Sequence, residues 1–475
     1  MNRRRKSWSA FGLIALVMLL VLPIVACSNS KPPSEQQSSD ADEQKQNASQ
    51  QQPEKTAVTL YFTDKNFEKL VTESREIEVQ PGRTLVETVL EELFKGPRQS
   101  EHETAIPPDA KLLKVSQAEN IVTVDVSKEF DVGDIQGIVA RIMVANTLTE
   151  LPGVKYVKFY KEGQEYIGAS GEPLGLMTKT ETPQEQLASE TQSADDTVKK
   201  YNMILYFAGS QAMYVVPEVR EVNIVGQRYA QTAIEELIKG PTTPGLYPTI
   251  PNGTKLRSIK IDNGTAVVDF SKEFKENHPG GSAGELITIN SIVNTLTEFA
   301  SIKNVKFLIE GKENETLAGH VIFDQPFTRN EDMIGQRIIL YFSNKDANYL
   351  IPEYRDIQHD EPNIVKRIAQ ELINGPMTEG LEPTMPEGLT EKDVLDAKIN
   401  GDTAIVNFSS NLKTKHKGGS AGETLTVYSI VNSVTELPNI KRVQILIDGK
   451  VQDTLAGHMA LDEPIMRNPN LIKEQ

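Results

Sequence analysis

The feature of this sequence that most constrains its fold is an internal triplication. Three short motifs each occur three times, in the same order. They are Leu-Tyr-Phe (60–62, 205–207 and 340–342), Lys-Gly-Pro or Asn-Gly-Pro (95–97, 239–241 and 374–376), and Asn-Thr-Leu-Thr-Glu or a close variant (146–150, 294–298 and 432–436). Successive copies are about 140 residues apart, which is the size of a domain and too long for the repeat of a solenoid. The sequence therefore predicts three tandem copies of one domain.

Each copy has the hydrophobic pattern of an α+β domain. Apolar residues alternate at 58–62 as in a half-buried strand. The segment 85–94 has the apolar spacing of an amphipathic helix, and Thr84 with Glu87 has the spacing of a capping box at its start. A hairpin that turns at Asn-Gly in copies two and three follows, then a second helix and a last strand pair. This order predicts the fold class α+β, as three tandem copies of a two-helix-on-antiparallel-sheet domain.

The first 27 residues have the pattern of an export signal. A basic head at 3–6 precedes an uncharged run at 11–26, which is short for a membrane span of about 20 residues and is interrupted by glycine and proline. The run ends at Ala26-Cys27, which resembles the lipobox of bacterial lipoproteins, where the cysteine is acylated and becomes the mature N-terminus. The alternative is an ordinary cleavage site followed by a chance cysteine. We predict that Cys27 is lipidated and anchors the chain on the outer, extracytoplasmic face of the cell membrane.

These patterns and the changes in composition give the domain organisation. We expect a lipoprotein signal peptide with lipobox at 1–27, a disordered tether at 28–55, domain 1 at 56–177, a flexible linker at 178–200, domain 2 at 201–330 and domain 3 at 336–470. The tether contains no aromatic or β-branched residue, so it has nothing to bury. The linker is long and polar, whereas only about ten residues join domains 2 and 3. We therefore expect a loosely tethered domain 1 and a semi-rigid pair of domains 2 and 3.

Composition and motif content argue against several classes of function. The formal net charge of −16 would repel a phosphate backbone, so we expect no nucleic-acid partner. Because Cys27 is the single cysteine, the chain can form neither an internal disulfide nor a Cys-rich zinc site. There is no glycine-rich phosphate loop, and we predict no cofactor and no enzymatic activity.

Two copies carry a Gly-Gly-Ser-Ala-Gly-Glu element that matches the G-x-S-x-G pattern of hydrolases. A nucleophile elbow needs a buried strand immediately before its serine, whereas a polar loop precedes both of these elements. Ser282 with Glu285, and Ser420 with Glu423, have instead the spacing of a capping box at the start of the second helix. We predict that these four residues are structural helix caps and that none is catalytic.

The histidines suggest zinc as a further possibility. His278 and His320 flank Glu285 in the sequence, and domain 3 repeats this arrangement. Two histidines and a glutamate could ligate zinc, but domain 1 has no histidine at these places and no short-spaced pair fixes two ligands on one helix. We predict no metal site, and we expect His320 to end a strand and to hydrogen-bond a nearby loop.

One asparagine in each copy lies beside the apolar stripe of the second helix. These residues are Asn146, Asn294 and Asn432. We interpret them as buried amides that tie the helix to the sheet, in preference to ligand contacts.

Taken together, these motifs resemble the GerMN-domain family of sporulation and spore-germination lipoproteins. The resemblance rests on the Leu-Tyr-Phe strand, the helix that ends in Lys-Gly-Pro, Asp269-Phe270-Ser271, the Gly-Gly-Ser-Ala-Gly-Glu element and the Asn-Thr-Leu-Thr-Glu helix. It implies a membrane-anchored lipoprotein of spore-forming Gram-positive bacteria, with interaction modules of no known catalysis and a fold similar to the ring-building modules of secretion complexes. The first copy departs from the pattern because it lacks the Gly-Gly-Ser-Ala-Gly-Glu element.

The resemblance and the residues together support one main hypothesis and one rival. The main hypothesis is an anchored scaffold whose domains bind other envelope or spore-complex proteins. The rival is a lipoprotein that binds peptidoglycan or another cell-wall ligand. A wall binder is expected to expose an aromatic groove, and only 6% of the residues are aromatic, which favours the scaffold.

Overall fold

The computed structural model describes residues 55–80, 83–132, 135–168, 173–182, 198–313, 316–359 and 361–473. The predicted signal peptide, the predicted lipidation residue Cys27 and the tether up to residue 54 lie outside these ranges, as do residues 183–197 of the predicted linker. Lys55 is the first described residue and begins the first strand. Among the described residues, no helix has both the length and the apolar character needed to cross a membrane.

Domain 1 consists of a long hairpin, a first helix, a second sheet and a second helix. Its elements are β1 (Lys55–Thr63), β2 (Leu70–Glu78), α1 (Leu85–Phe94), β3 (Leu112–Ala118), β4 (Ile121–Val126), a 3₁₀ turn (Lys128–Phe130), α2 (Ile135–Thr149), β5 (Tyr156–Lys161), β6 (Gln164–Glu165) and β7 (Leu176–Met177).

Domain 2 repeats this order. Its elements are β8 (Val198–Ala208), β9 (Val215–Val225), α3 (Tyr229–Lys239), β10 (Leu256–Asp262), β11 (Thr265–Phe270), the short α4 (Glu273–Glu276), α5 (Ser282–Leu296), β12 (Asn304–Ile309), β13 (Phe327–Thr328) and a 3₁₀ turn (Glu331–Met333).

Domain 3 repeats it again. Its elements are β14 (Gly335–Asn344), β15 (Leu350–Gln358), α6 (Ile364–Asn374), β16 (Leu381–Glu382), a 3₁₀ turn (Glu391–Asp393), β17 (Val394–Asn400), β18 (Thr403–Phe408), the short α7 (Asn411–Thr414), α8 (Ser420–Val434), β19 (Arg442–Ile447), β20 (Ile465–Met466) and a 3₁₀ turn (Pro469–Leu471).

The α+β class and the triplication are confirmed, and most strand pairs are antiparallel as predicted, but each domain also contains one parallel pair. In each domain the second strand of the central hairpin pairs in parallel with the strand after the second helix: β4 with β5, β11 with β12, and β18 with β19. A parallel partner needs a crossover connection, and the second helix supplies it. The last long strand therefore has a parallel partner on one side, and its predicted antiparallel pairing is limited to two-residue strands such as β6 and β13.

Each domain has its own hydrophobic core, in which both helices pack on the sheets. The predicted stripe of α1 is confirmed, because Val86, Val89, Leu90 and Leu93 are all buried. The predicted capping box at Thr84 is also present, with the Thr84 hydroxyl accepting the Glu87 amide and the Glu87 carboxylate accepting the Thr84 amide.

The hairpin turns follow the prediction in one domain and shift by a residue in the other. Asn263 and Gly264 both have positive φ, +48° and +77°, as a two-residue turn between β10 and β11 requires. In domain 3, Asn400 pairs with Thr403, so the turn residues are Gly401 and Asp402.

A buried arginine between two glutamates recurs in all three domains and was missed at the sequence level. In domain 3, Arg355 pairs with Glu353 of its own strand and Glu371 of α6, and it also donates to the carbonyl of Gly375 at the end of that helix. Arg75 and Arg220 make the same contacts in domains 1 and 2. The arginine thus satisfies the last carbonyls of the first helix, which have no partner within the helix itself.

Candidate functional site

A groove of about 330 Å³ opens in domain 2 at the N-terminal end of α5. Three segments form it: the end of β8, the loop at 247–251 and the first turns of α5. Its lining residues are Ala208, Gly209, Ser210, Ala212, Tyr247, Pro248, Thr249, Ile250, Pro251, Pro279, Ala283, Gly284, Ile287 and Thr288. None of them carries a charge, so the groove is suited to an uncharged or apolar ligand surface.

The Gly-Gly-Ser-Ala-Gly-Glu element starts α5 differently from the prediction. Gly281 is the N-cap, and Gly280 and Gly281 both have positive φ, +84° and +81°. Ser282 is the first helical residue, is exposed and makes no capping hydrogen bond. The predicted capping box at Ser282 is therefore wrong, because the left-handed glycine turn occupies the position at which a side chain would cap.

Domain 3 gives the same correction. Gly419 is the N-cap of α8, with φ of +89°, and Ser420 is its first helical residue without a capping bond. The predicted cap at Ser420 is wrong for the same reason, and Glu423 does not take part in a capping box.

The glutamate of the element is a buried clamp instead. The Glu285 side chain is fully buried and accepts the backbone amides of His320 and Val321, each at 3.0 Å, and contacts Nδ1 of His320 at 2.7 Å. Burial alone would raise the pKa of the Glu285 carboxyl, but the hydrogen bonds from the loop amides and the His320 ring outweigh burial, so the pKa is lowered from its ordinary value. Glu285 thus holds the loop that contains His320 against α5. The expectation that His320 ends a strand and hydrogen-bonds a nearby loop is wrong, because His320 lies within this loop and its ring contacts a helix residue.

The clamp is repeated in domain 3. Glu423 is fully buried and accepts the amides of Ala456, His458 and Met459 at 2.7–3.1 Å. The His458 side chain is 50% exposed, and its Nδ1 lies 3.1 Å from the Glu423 carboxylate. Both copies therefore use the glutamate for loop positioning.

The other histidine of each pair points elsewhere. His278 places Nε2 3.1 Å from the hydroxyl of Thr288, and its Nδ1 accepts the amide of Gly280 at 3.0 Å. His278 and His320 therefore do not converge as two ligands, and neither is placed to activate Ser282. Within the part of the chain that the structure describes, no group of three or more His, Cys, Asp or Glu is arranged to hold a metal ion.

The three helix asparagines bind the segment that leaves each domain, and the predicted tie to the sheet is wrong. Asn294 donates to the carbonyl of Asn330 at 3.1 Å and accepts its amide at 3.0 Å. Asn146 does the same with Thr180, and Asn432 with Asn468. Each amide thus pairs with one residue of the exit segment as a strand would, and fixes where the chain leaves the domain.

Domains 1 and 2 meet around a buried charge cluster. Lys158 of β5 pairs with Glu298, two residues after the end of α5, and their side chains are only 7% and 11% exposed. Glu298 also pairs with Arg329 at 2.9 Å and accepts the Tyr206 hydroxyl at 2.8 Å. Burial would raise the pKa of Glu298, but the charges of Lys158 and Arg329 bring it down to about 2.

Apolar contacts surround this cluster and join the same two domains. Ile121 and Leu176 of domain 1 pack with Ile204 and Tyr206 of domain 2. The amide of Ala300 also donates to the Glu165 carboxylate of domain 1 at 2.7 Å. The expectation of a loosely tethered domain 1 is therefore wrong. The predicted linker is also shorter at its end, because β8 already begins at Val198.

Domains 2 and 3 meet where Gly209 leaves room for an aspartate. The carboxylate of Asp356, on β15, accepts the amides of Ser210 and Gln211 at 3.1 Å each. A Cβ atom on Gly209 would lie 2.0 Å from this carboxylate. Burial raises the pKa of Asp356 in spite of these two amides.

The corresponding residues in the other domains carry side chains that serve their own loop. Asp64 and Asn344 each follow the Leu-Tyr-Phe motif by two positions, as Gly209 does. Asp64 accepts the amides of Glu68 and Lys69 in its own hairpin. Asn344 likewise accepts the amides of Asn348 and Tyr349. Only a comparison of the three copies at this position could have pointed to Gly209 from the sequence.

Comparison with known proteins identifies the family. The profile of the Germane family, described as "Sporulation and spore germination", matches residues 59–167, 204–315 and 339–453. The chain belongs to the Germane family. This confirms the resemblance to GerMN-domain proteins and places the chain among sporulation- and germination-related proteins.

The individual proteins that the chain matches share between 23% and 28% of their aligned residues with it. The chain is 26% identical to the spore germination protein GerM of Bacillus subtilis (strain 168) over 305 residues, which cover 59% of this chain and 80% of that protein. It matches the solved tandem GerMN domains of the sporulation protein GerM from Bacillus subtilis at 23% identity and a TM-score of 0.28, over 57% of this chain and 98% of that chain. A putative lipoprotein from Clostridium perfringens matches at 28% identity and a TM-score of 0.21, over 29% of this chain and 93% of that chain.

Proposed function

We propose that this chain is a lipid-anchored envelope protein whose Germane domains are non-catalytic interaction modules in sporulation or spore germination. Its partners are the lipid bilayer, through acylated Cys27, and proteins of an envelope or spore complex, with no role for nucleic acid. The family supports the cellular process, and the domain 2 groove supports the mode of action.

The observation that carries the non-catalytic proposal is the state of the hydroxyl groups in the groove. Ser210 donates to the carbonyl of Tyr354, and Thr288 donates to the carbonyl of Thr249, both at 2.8 Å. The Thr249 hydroxyl bonds the buried hydroxyl of Ser291 at 2.6 Å. The hydroxyl protons of Ser210 and Thr288 are thus held by backbone carbonyls, and His278 faces the Thr288 oxygen with Nε2, which can only donate to it. A nucleophile must instead give its proton to a general base.

Site-specific photo-crosslinking tests the interaction role. A photoreactive residue in place of Ala283, inside the groove, is expected to capture an envelope protein in sporulating cells. The matched position is Ala421, the corresponding residue of domain 3, which shows whether the capture is particular to domain 2. Recovery of peptidoglycan fragments and no protein from both positions would contradict the proposal.

The rival function, binding of a cell-wall ligand, is favoured by one observation. Tyr247 lies at the groove and is 54% exposed, and an exposed aromatic ring next to uncharged walls is a common platform for sugar or peptide ligands. Sedimentation of the purified protein with isolated sacculi distinguishes the two functions. Binding that disappears in Tyr247→Ala, with no protein partner captured, would support the wall ligand.

The anchor is tested through Cys27. A single acyl chain binds membranes only marginally, so the proposal requires a diacylated cysteine. Wild-type protein is expected in the membrane fraction, and Cys27→Ala is expected to be released or left unprocessed. If the variant sediments with membranes as firmly as the wild type and at the same processed mass, lipidation at Cys27 is excluded.

A further inference from the structure

The hydrogen bonds around His278 fix the protonation state of its ring. Thr288 uses its only hydroxyl proton on the carbonyl of Thr249 at 2.8 Å, so its oxygen can only accept from the ring. The ring proton must therefore be on Nε2, which lies 3.1 Å from that oxygen. Nδ1 accepts the amide of Gly280 at 3.0 Å and must carry a lone pair. His278 is thus held as the neutral Nε2–H tautomer.

Domain 3 contains the same arrangement with different neighbours in sequence. Thr426 donates to the carbonyl of Thr384 at 2.6 Å and so accepts from Nε2 of His416 at 3.2 Å. Nδ1 of His416 accepts the amide of Gly418 at 3.0 Å. The bonded glycine is in both domains the first of the positive-φ pair that leads into the second helix.

We propose that His278 and His416 are acid-sensitive latches, each of which holds the glycine pair at the start of the second helix only while its imidazole is neutral. Protonation of Nδ1 would replace an acceptor by a donor that faces the glycine amide, so the bond cannot persist. It would also place a positive charge beside the N-terminus of the helix, which is the positive end of its dipole. Both effects act to release the turn.

Burial and a neighbouring carboxylate shift the pKa of each ring in opposite directions. Burial lowers the pKa of His278 and of His416, while the negative charge of Glu285 or Glu423 acts to raise it. These carboxylates are already engaged with His320 and His458 on the facing loop. The loop at 247–251 adds no charge to the surroundings of His278.

The lysines near each ring are held by other partners. On the side of α4, Lys275 donates to the carbonyl of Thr316, and Lys272 pairs with Glu276. In domain 3, Lys415 donates to the carbonyl of Gly388, and Lys417 pairs with Glu387.

The latch of domain 2 is connected to the groove. Pro279, Gly284 and Thr288 line the groove and also lie next to His278, Pro279 in sequence and the other two in space. A Cβ atom on Gly284 would lie 3.6 Å from the His278 ring. Release of the turn at acid pH would therefore change the shape of the groove. The latch itself rests on local geometry and does not depend on the proposed function.

Ring NMR of the full chain tests the latch. With ¹⁵N-labelled histidine and glycine, the six histidines give separate ring signals. We expect His278 and His416 to be Nε2–H tautomers at pH 7.5 and to titrate below the ordinary histidine pKa of about 6.5. The amides of Gly280 and Gly418 should shift with the same midpoints. Their protection from exchange, corrected for pH, should fall about tenfold, as for the loss of one hydrogen bond.

The control variant is His278→Asn, whose amide oxygen can replace Nδ1 as an acceptor but cannot titrate. In this variant the Gly280 amide should lose its acid response, while Gly418 in the same molecule keeps it. The proposal is overturned if the wild-type rings are Nδ1–H tautomers, if they titrate without a response at Gly280 and Gly418, or if the variant responds to acid like the wild type. Should the variant fail to fold, the wild-type titration decides alone.

Discussion

Replacement of Lys158 by methionine keeps the length of the side chain but removes a charge that neutralises Glu298 across the interface of domains 1 and 2. The size of the effect follows from the pKa of Glu298, which is about 2 in the folded chain against an ordinary value of 4.5. A difference of about 2.5 pH units at 1.36 kcal/mol per unit makes the folded surroundings of the carboxylate worth about 3 kcal/mol. Arg329 still pairs with Glu298 in the variant. We therefore expect Lys158→Met to lose about half of this, roughly 1.5 kcal/mol.

The pH dependence of this contribution has a definite sign. Because the folded pKa of Glu298 lies below the unfolded one, the stabilisation is fully present above pH 4.5 and is lost as the pH falls from there towards 2. In Lys158→Met the folded pKa should rise, so less stability remains to be lost in that range. The variant and the wild type should thus differ most at neutral pH and converge in acid.

The matched control is Lys306→Met. Lys306 occupies on β12 the register position that Lys158 occupies on β5, but its partner Glu313 is exposed. An exposed pair contributes at most about 1 kcal/mol, and often nothing measurable. Hydrogen exchange of peptides spanning 156–161 and 296–302, with urea titration of each variant, measures the effect at the interface. If the two lysine variants behave alike in both measurements, the buried pair does not hold domain 1 in place.

Three further changes test the other contacts. Gly209→Ala would place a Cβ atom 2.0 Å from the Asp356 carboxylate, which is a severe steric clash. We therefore expect domains 2 and 3 to separate, measurable as an increased radius of gyration; unchanged scattering would contradict the docking. Ser282→Ala should change the free energy of unfolding by no more than about 0.5 kcal/mol, because Ser282 is exposed and caps nothing; a larger loss would restore the capping interpretation. Arg355→Met should cost about 3–5 kcal/mol in domain 3, because it leaves Glu353 and Glu371 buried without their arginine; a cost below 1 kcal/mol would show that the cluster is dispensable.

Sequence reasoning predicted the fold where the signal was local and periodic. The stripe of α1, the capping box at Thr84 and the Asn263-Gly264 turn depend on residues within a few positions of one another, and the structure has them as predicted. The parallel strand pair was missed because strand direction depends on the long connection through the second helix, which hydrophobic alternation does not record.

The site was predicted less well, because its contacts join distant residues. Ser282 and Glu285 have the spacing of a capping box, but the buried Glu285 has a stronger use in binding the amides of a loop about 35 residues away. The interface contact between Lys158 and Glu298 spans two domains, and no periodicity within either domain could reveal it. The repeated Glu-x-Arg triplet around Arg355 was visible in the sequence, and its recurrence could have been used.

Gly209 has a consequence for the order of the domains along the chain. At the same point of the hairpin, the side chains of Asp64 and Asn344 accept the backbone amides of their own loops. Among these three positions, only Gly209 of the middle domain leaves the neighbouring amides free to bind a residue of the following domain. The three domains therefore cannot be exchanged along the chain, although they share one fold. A permuted chain with domain 1 directly before domain 3 would present Asp64 to Asp356, two carboxylates competing for one place. Duplication supplied three alike units, and a single missing side chain determines which of them can stand in the middle.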